Sequence, residues 1–215
     1  MKAMRYTLLT DGASDRALIP ILNWVLRQHL SALPIQSEWA DLRHLHQPPR
    51  QLPTRITAAV DLYPCDLLFV HRDAEGVPHR SRVEEIETAM QEARTVHGGG
   101  LPPHIVVVPV RMTEAWLLFD EAAIRRAAGN PNGRVPLHLP GGDPEEIPDP
   151  KHVLHDLLKT ACELGGRRLD AFRPHEKVHR IPEFISAFDP LRRLGAFSSL
   201  EQQVHDVAVR IMTPR

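Results

Sequence analysis

The stretch Leu67-Leu68-Phe69-Val70-His71-Arg72-Asp73-Ala74-Glu75-Gly76 decides how the chain is read. Its first four residues are apolar without a break, too few for a helix and followed at once by charge. That is the pattern of a strand buried on both faces, as in a parallel sheet. Asp73 and Glu75 follow with one residue between them, so an extended backbone turns both the same way. Functional groups in open α/β sheets collect beyond the carboxyl ends of strands, which makes this acidic pair a candidate metal site.

Working back from this stretch, Arg5 to Thr10 is a short β-prone segment that ends in Thr10-Asp11-Gly12-Ala13-Ser14-Asp15. Gly12 permits a sharp turn, and Ser14 or Asp15 can cap a helix carrying Ala17, Leu18, Ile21, Leu22, Val25 and Leu26 at helical spacing. Pro34 to Ala40 is a further strand candidate. His44 to Pro53 is proline-rich and reads as a loop, and Thr54 to Leu62 as a short helix.

Working forward, Val83 to Val96 is helical, and Gly98-Gly99-Gly100 stops it. Ile105 to Val110 is a second buried-strand candidate, followed by Arg111-Met112-Thr113-Glu114-Ala115-Trp116-Leu117-Leu118 with Thr113 as a cap. Strands that alternate with helices predict an α/β layered architecture with a mostly parallel sheet flanked by helices. Gly129 to Pro148 holds five prolines and four glycines and marks a long loop. Beyond it the pattern is helical at Lys151 to Leu164, at Glu176 to Phe188 with an interruption at Pro182, and at Phe197 to Met212. The expected organisation is an α/β domain over 1–128, a loop over 129–149 and a helical C-terminal extension over 150–215, packed on the same domain.

A chain of 215 residues with 42% hydrophobic and 25% charged residues can bury a good-sized core. A formal net charge of −1 gives no whole-protein attraction to nucleic acid, so such a partner needs a local basic patch or a metal. Cys65 and Cys162 suit reduced thiols in a cytoplasm. No apolar run reaches membrane-spanning length, and the opening Met-Lys-Ala-Met-Arg-Tyr lacks a leader's apolar core, so a cytoplasmic location without membrane contact is expected. No Gly-x-x-x-x-Gly-Lys loop is present, which argues against ATP hydrolysis by the chain itself.

Acids follow three strand candidates: Asp11 the first, Asp73 and Glu75 the central one, Glu114 the next. If those strands are neighbours, the four carboxylates meet at one rim and need a cation between them. Hard oxygen donors suit Mg²⁺ or Mn²⁺, which can activate water and stabilise a leaving oxygen in phosphodiester cleavage. Each acid also has an ordinary structural reading, as turn residue, helix cap or first-turn acid. Arg72, Arg111 and Lys151 would lie near the acids and contact phosphate, or pair with those same acids. His71 can bind metal or shuttle protons, or be a hydrogen-bonded structural histidine. His44 with His46, and His152 with His155, have metal-sharing spacings, but no Cys-x-x-Cys pair supports structural zinc. Trp24, Trp39 and Trp116 fit core packing better than base stacking.

With those residues in place, Asp11-Gly12-Ala13-Ser14-Asp15 resembles the Glu-Gly-x-Ser/Thr-Asp turn that opens TOPRIM domains, and Asp73-Ala74-Glu75-Gly76 resembles their Asp-x-Asp segment. Pro109 to Leu118, Asp149-Pro150-Lys151 and the helical tail are similar to a subgroup of TOPRIM-like proteins often encoded beside ABC-type or related ATPases in bacterial defence loci. The resemblance implies a TOPRIM/Rossmann-like sheet and Mg²⁺-dependent nuclease activity on DNA or RNA, with an ABC-type or AAA-type ATPase as partner. It implies acid/base work or metal binding for Asp11, and metal binding for Asp73 and Glu75. Asp11 stands where the family has Glu, and Glu75 where it has Asp. A non-catalytic interaction module, and a phosphotransferase or phosphatase acting on small nucleotides, are the alternatives.

Overall fold

The computed structural model describes residues 3–98 and 100–213. Gly99 of the expected triple-glycine stop, and Met1 and Lys2 of the opening stretch, lie outside those residues. Four strands, β1 (Met4–Leu9), β2 (Ile35–Trp39), β3 (Leu67–His71) and β4 (His104–Val107), pair in parallel in the order β2-β1-β3-β4. β3 is central and all five of its residues are buried. Alternation divides its side chains between two cores. Leu67 and Phe69 join Tyr6, Leu8, Ile105 and Val107 on one face, while Leu68 and Val70 join Leu9, Val106 and Val108 on the other.

Helix α1 (Leu18–His29) packs on the first face through Leu18, Ile21, Leu22 and Val25. Helices α2 (Leu52–Leu62) and α3 (His79–His97) pack on the second through Ile56, Ala59, Ile86 and Met90. The chain therefore leaves β1 toward β2 over one face, and leaves β3 toward β4 over the other. The strand order reverses between β1 and β3, and connections diverging from such a point leave a crevice at the strand carboxyl ends.

Four more helices follow: α4 (Glu121–Ala127), α5 (Pro150–Cys162), α6 (Arg167–Ala171) and α7 (Gly195–Met212). Ile124, Leu154, Leu158, Phe197 and Leu200 extend the first-face core, and fully buried Trp116 meets Phe197 edge-on at 5.4 Å. Full burial of such a side chain stabilises by roughly 1.5–3 kcal/mol. The residues beyond the proline- and glycine-rich loop thus complete a core that begins in β1. Helix α7 also covers the outer edge of β4. The Gln203 amide accepts from Val106 N–H at 3.1 Å and donates to the Val106 carbonyl at 3.2 Å, satisfying backbone groups that an edge strand leaves open.

Three local expectations change. β4 stops at Val107 rather than Val110, because Pro109 has no N–H to donate, although its carbonyl still accepts from Ala74 N–H at 3.0 Å. The segment after Thr113 is one 3₁₀ turn, Thr113–Leu117, rather than an α-helix. The expected helix at Glu176 to Phe188 resolves into short 3₁₀ turns at Pro174–Glu176, Val178–Arg180 and Pro182–Phe184. Pro182 interrupts the α-helical ladder there.

Candidate active site

The first piece of the site is the turn after β1, which ties itself together. The Thr10 hydroxyl donates to the Gly12 carbonyl at 2.6 Å and accepts from the Trp39 indole N–H at 3.0 Å. Gly12 N–H and the Ser14 hydroxyl donate to the two Asp15 carboxylate oxygens at 2.9 and 3.2 Å. Asp15 was expected as a helix cap. It instead lies buried in a 3₁₀ turn, Ser14–Ala17, while α1 starts at Leu18 without a side-chain cap. Burial raises the Asp15 carboxyl, and the neighbouring Asp73 charge adds to this against the opposing charge of His71.

His71 closes β3 on the face that carries Leu67 and Phe69, and is 1% exposed. Its Nε2 lies 3.2 Å from Asp73 Oδ1 and its Nδ1 3.7 Å from Asp15 Oδ2, the second a charge contact rather than a hydrogen bond. Burial alone lowers the imidazole pKa, but the Asp73 hydrogen bond and the charges of Asp73, Asp15 and Asp11 outweigh it, and the net shift is upward. His71 thus lies between two carboxylates, which favour its protonated form. Thr113 fixes Asp73 from the other side, its N–H donating to Oδ1 at 2.9 Å and its hydroxyl lying 3.2 Å from the same oxygen. Three contacts converge on Oδ1, so the Asp73 carboxylate is held in one orientation.

Glu114 follows Thr113 and is only 6% exposed. Burial, then Asp73 and Asp15, raise its carboxyl above the ordinary range, with Lys151 opposing. It lines a cleft of about 430 Å³ whose other walls include Arg16, Lys151, His155, His175 and His179. Burial first, and nearby cations second, hold His155 and His179 below the usual imidazole range, so these histidines favour the neutral form.

Of the four acids expected to meet, Asp73 and Glu114 are charge-coupled, and Asp15 joins them, with Glu114 the one of the three that forms part of the cleft wall. Asp11 does not. Arg55 and Arg72 both bond its carboxylate, the latter at 2.8 Å, and they overcome the effect of burial to hold its pKa low. Glu75 does not join either: its side chain is 69% exposed, its backbone takes a left-handed φ of 51°, and its nearest cation is Arg82 at 3.8 Å. The extended backbone needed to turn Glu75 alongside Asp73 ends at Ala74. Among the expected phosphate contacts, Arg72 is taken by Asp11 and Glu85. Arg111, at φ 63°, supplies its carbonyl to Glu75 N–H at 2.7 Å. Lys151, in the first turn of α5, reaches the cleft.

Asp15 is the acid that sequence reasoning missed. Its signal was its place three and seven residues before the buried Leu18 and Leu22, on the inward side of the turn. The histidine pairs separate: His44 contacts Asp41 at 3.1 Å, His152 contacts Asp156 at 3.2 Å, and His155 faces the cleft. Among the described residues no three His, Cys, Asp or Glu side chains gather as a preformed metal shell.

A family model described as "Domain of unknown function (DUF4276)" matches residues 12–190, and the chain belongs to that family. The matched span begins within the Asp11–Asp15 turn and takes in Asp15, His71, Asp73, Glu114 and Lys151. Neither the curated proteins nor the solved structures contain a match.

Proposed function

We propose that the chain hydrolyses phosphodiesters of nucleic acid with the help of Mg²⁺ or Mn²⁺, at the cleft between Glu114 and Lys151. The observation that supports this reading is the buried Glu114 carboxylate, charge-coupled to Asp73 and Asp15 and facing a cleft walled by Arg16, Lys151 and three histidines. A preformed protein cage is not required for Mg²⁺, which is commonly bound by one or two carboxylates together with substrate phosphate oxygens. Asp73 and Glu114 are donors of that kind, and crowding of acids around Glu114 leaves negative charge that a cation relieves. When bound, the ion polarises the phosphoryl group and lowers the pKa of a bound water.

The side chains divide the remaining work. His71 and Thr113 hold Asp73 in one orientation through Oδ1, which fixes the carboxylate in advance of a cation. Glu114, whose pKa burial and the neighbouring acids raise, is the carboxylate that a bound cation would bring into its charged form. Lys151 and Arg16 neutralise non-bridging phosphate oxygens. The cleft volume also supports a second reading, hydrolysis of a phosphomonoester on a small nucleotide, because about 430 Å³ is within the range of small-ligand sites. Partnership with an ABC-type or AAA-type ATPase, and a role in bacterial defence, rest on the TOPRIM resemblance alone. Among the described residues no helix is long and apolar enough to cross a membrane.

The test is cleavage of labelled single-stranded DNA and RNA, and of a mononucleotide, with Mg²⁺, Mn²⁺ or chelator. Metal-dependent oligonucleotide cleavage that Asp73→Asn and Glu114→Gln abolish is expected. Release of phosphate from the mononucleotide alone would favour the second reading. Cleavage indifferent to metal or to both substitutions would remove the proposal.

A further inference from the structure

A second cleft lies on the other side of the Gly12–Ser14 ridge. It encloses about 290 Å³ and shares Ala13 as a wall with the Glu114 cleft. Its functional side chains are Arg43, Arg50 and Arg55, set against Trp39, with Asp11 and Asp41 as the acids in the same wall. Three guanidinium groups against two carboxylates leave an excess of one positive charge. Arg55 is committed to Asp11 and to the Thr10 carbonyl, so it shapes the cleft wall. Arg50 is exposed and lies beside Pro48 and Pro49 at the cleft mouth.

Arg43 has an unusual setting. Its guanidinium carbon lies 5.0 Å from the centroid of the Trp39 ring. Its Nε and Nη2 bond the two Asp41 oxygens at 2.7 and 2.6 Å, and the side chain is still 63% exposed. The group is therefore held over the Trp39 ring by two Asp41 bonds and kept open to solvent on its outer side. Guanidinium planes presented in this way stack on unpaired bases, and proteins that hold single strands combine such platforms with cations that track the backbone.

We propose that this Arg43–Arg50 cleft binds the nucleotide next to the scissile phosphate, with its base on the Arg43 plane and its phosphate at Arg50, so that the substrate is an unpaired strand draped over the Gly12–Ser14 ridge. The assignment rests on the proposed function for the cut itself, but the binding claim stands apart from it. One strand crossing the ridge places consecutive nucleotides in the two clefts. A duplex does not fit, because both faces of each base are already stacked on neighbouring pairs. A mononucleotide fills one cleft only.

The experiment compares wild type with Arg43→Ala/Arg50→Ala, and with Arg50→Glu alone, after melting curves confirm folding. Hydrolysis of bis(4-nitrophenyl) phosphate, which is too small to span the ridge, is measured beside that of a short single-stranded oligonucleotide. The oligonucleotide KM is expected to rise about tenfold while the small diester is cleaved as before. Anisotropy should show tenfold weaker oligonucleotide binding and a salt slope flatter by about 0.7 for the lost phosphate contact. Equal losses on both substrates, no loss on the oligonucleotide, or preference for duplex overturns the inference. If wild type cleaves neither substrate, the hydrolytic reading has failed. The anisotropy comparison then decides the subsite by itself: weaker binding by the variants supports it, and unchanged binding overturns it.

Discussion

Two groups of acids stand at the carboxyl end of the same sheet and are treated in opposite ways. The outer group, Asp11, Glu75 and Glu85, is matched to Arg55, Arg72 and Arg82 and remains partly open to water. The inner group, Asp15, Asp73 and Glu114, is mutually charge-coupled, and Asp15 and Asp73 flank the buried His71. Carboxylates neutralised by guanidinium groups serve the fold. Crowded carboxylates such as Asp15 and Glu114, whose pKa values burial and their neighbours raise, are poised for a proton or a cation.

The widest separation between the groups is expected in turnover. Asp73→Asn and Glu114→Gln should lower kcat by about 10²–10⁴, whereas Asp11→Asn and Glu75→Gln should leave it within about threefold. Steady-state rates on one oligonucleotide for all four variants check this, and a large loss in Asp11→Asn would merge the two groups again.

Stability separates them next. His71→Ala removes the buried imidazole that lies between Asp15 and Asp73 and should cost about 3 kcal/mol, since deleting one partner of a buried polar pair leaves the other to its desolvation cost. Asp11→Asn should cost about 0.2–1 kcal/mol, with the effect shrinking in high salt, because its bridges are partly exposed. Urea unfolding at low and high ionic strength measures both.

Acid should then move the two groups in opposite directions. Glu114 has a folded pKa above its unfolded value of about 4.5, chiefly through burial, so its contribution is present below that pH and lost as pH rises through the folded value. Glu114→Gln should therefore raise Tm at pH 7, with the gain fading toward pH 4. Asp11 has a folded pKa below its unfolded value near 3.8, because two arginine bonds outweigh burial. Its contribution is present above that value and lost as pH falls through the folded one. The stability difference between wild type and Asp11→Asn should accordingly vanish in acid. Melting curves from pH 3 to 8 test the pair.

The central strand was legible because four apolar residues in a row, Leu67 to Val70, leave no polar face to confuse the reading, and the strand–turn–helix at Asp11 followed from Gly12 and the helical spacing after it. The layered α/β fold came from those two readings. Asp73 and Glu114 were legible as acids just past strand ends. Asp15 was not, because a cap and a buried acid use the same residue type, and only the Gly12 and Ser14 bonds to its carboxylate separate them. Glu75 was misplaced because the left-handed backbone that turns it outward is not encoded by a glycine at that position. The broken helix near Pro182 was visible in the sequence as a proline, but its division into three turns depends on how the C-terminal segment packs against α4 and α1.

Gln203 has one more consequence. By occupying the Val106 amide and carbonyl, a single side chain imitates an absent neighbour strand. A segment from another molecule seeking to lengthen the sheet beside β4 has to displace an eighteen-residue helix anchored by Phe197, Leu200 and Val204. Growth by strand addition is thereby steered to the opposite border, at β2, the side where Glu38 adds a charge that discourages uninvited pairing.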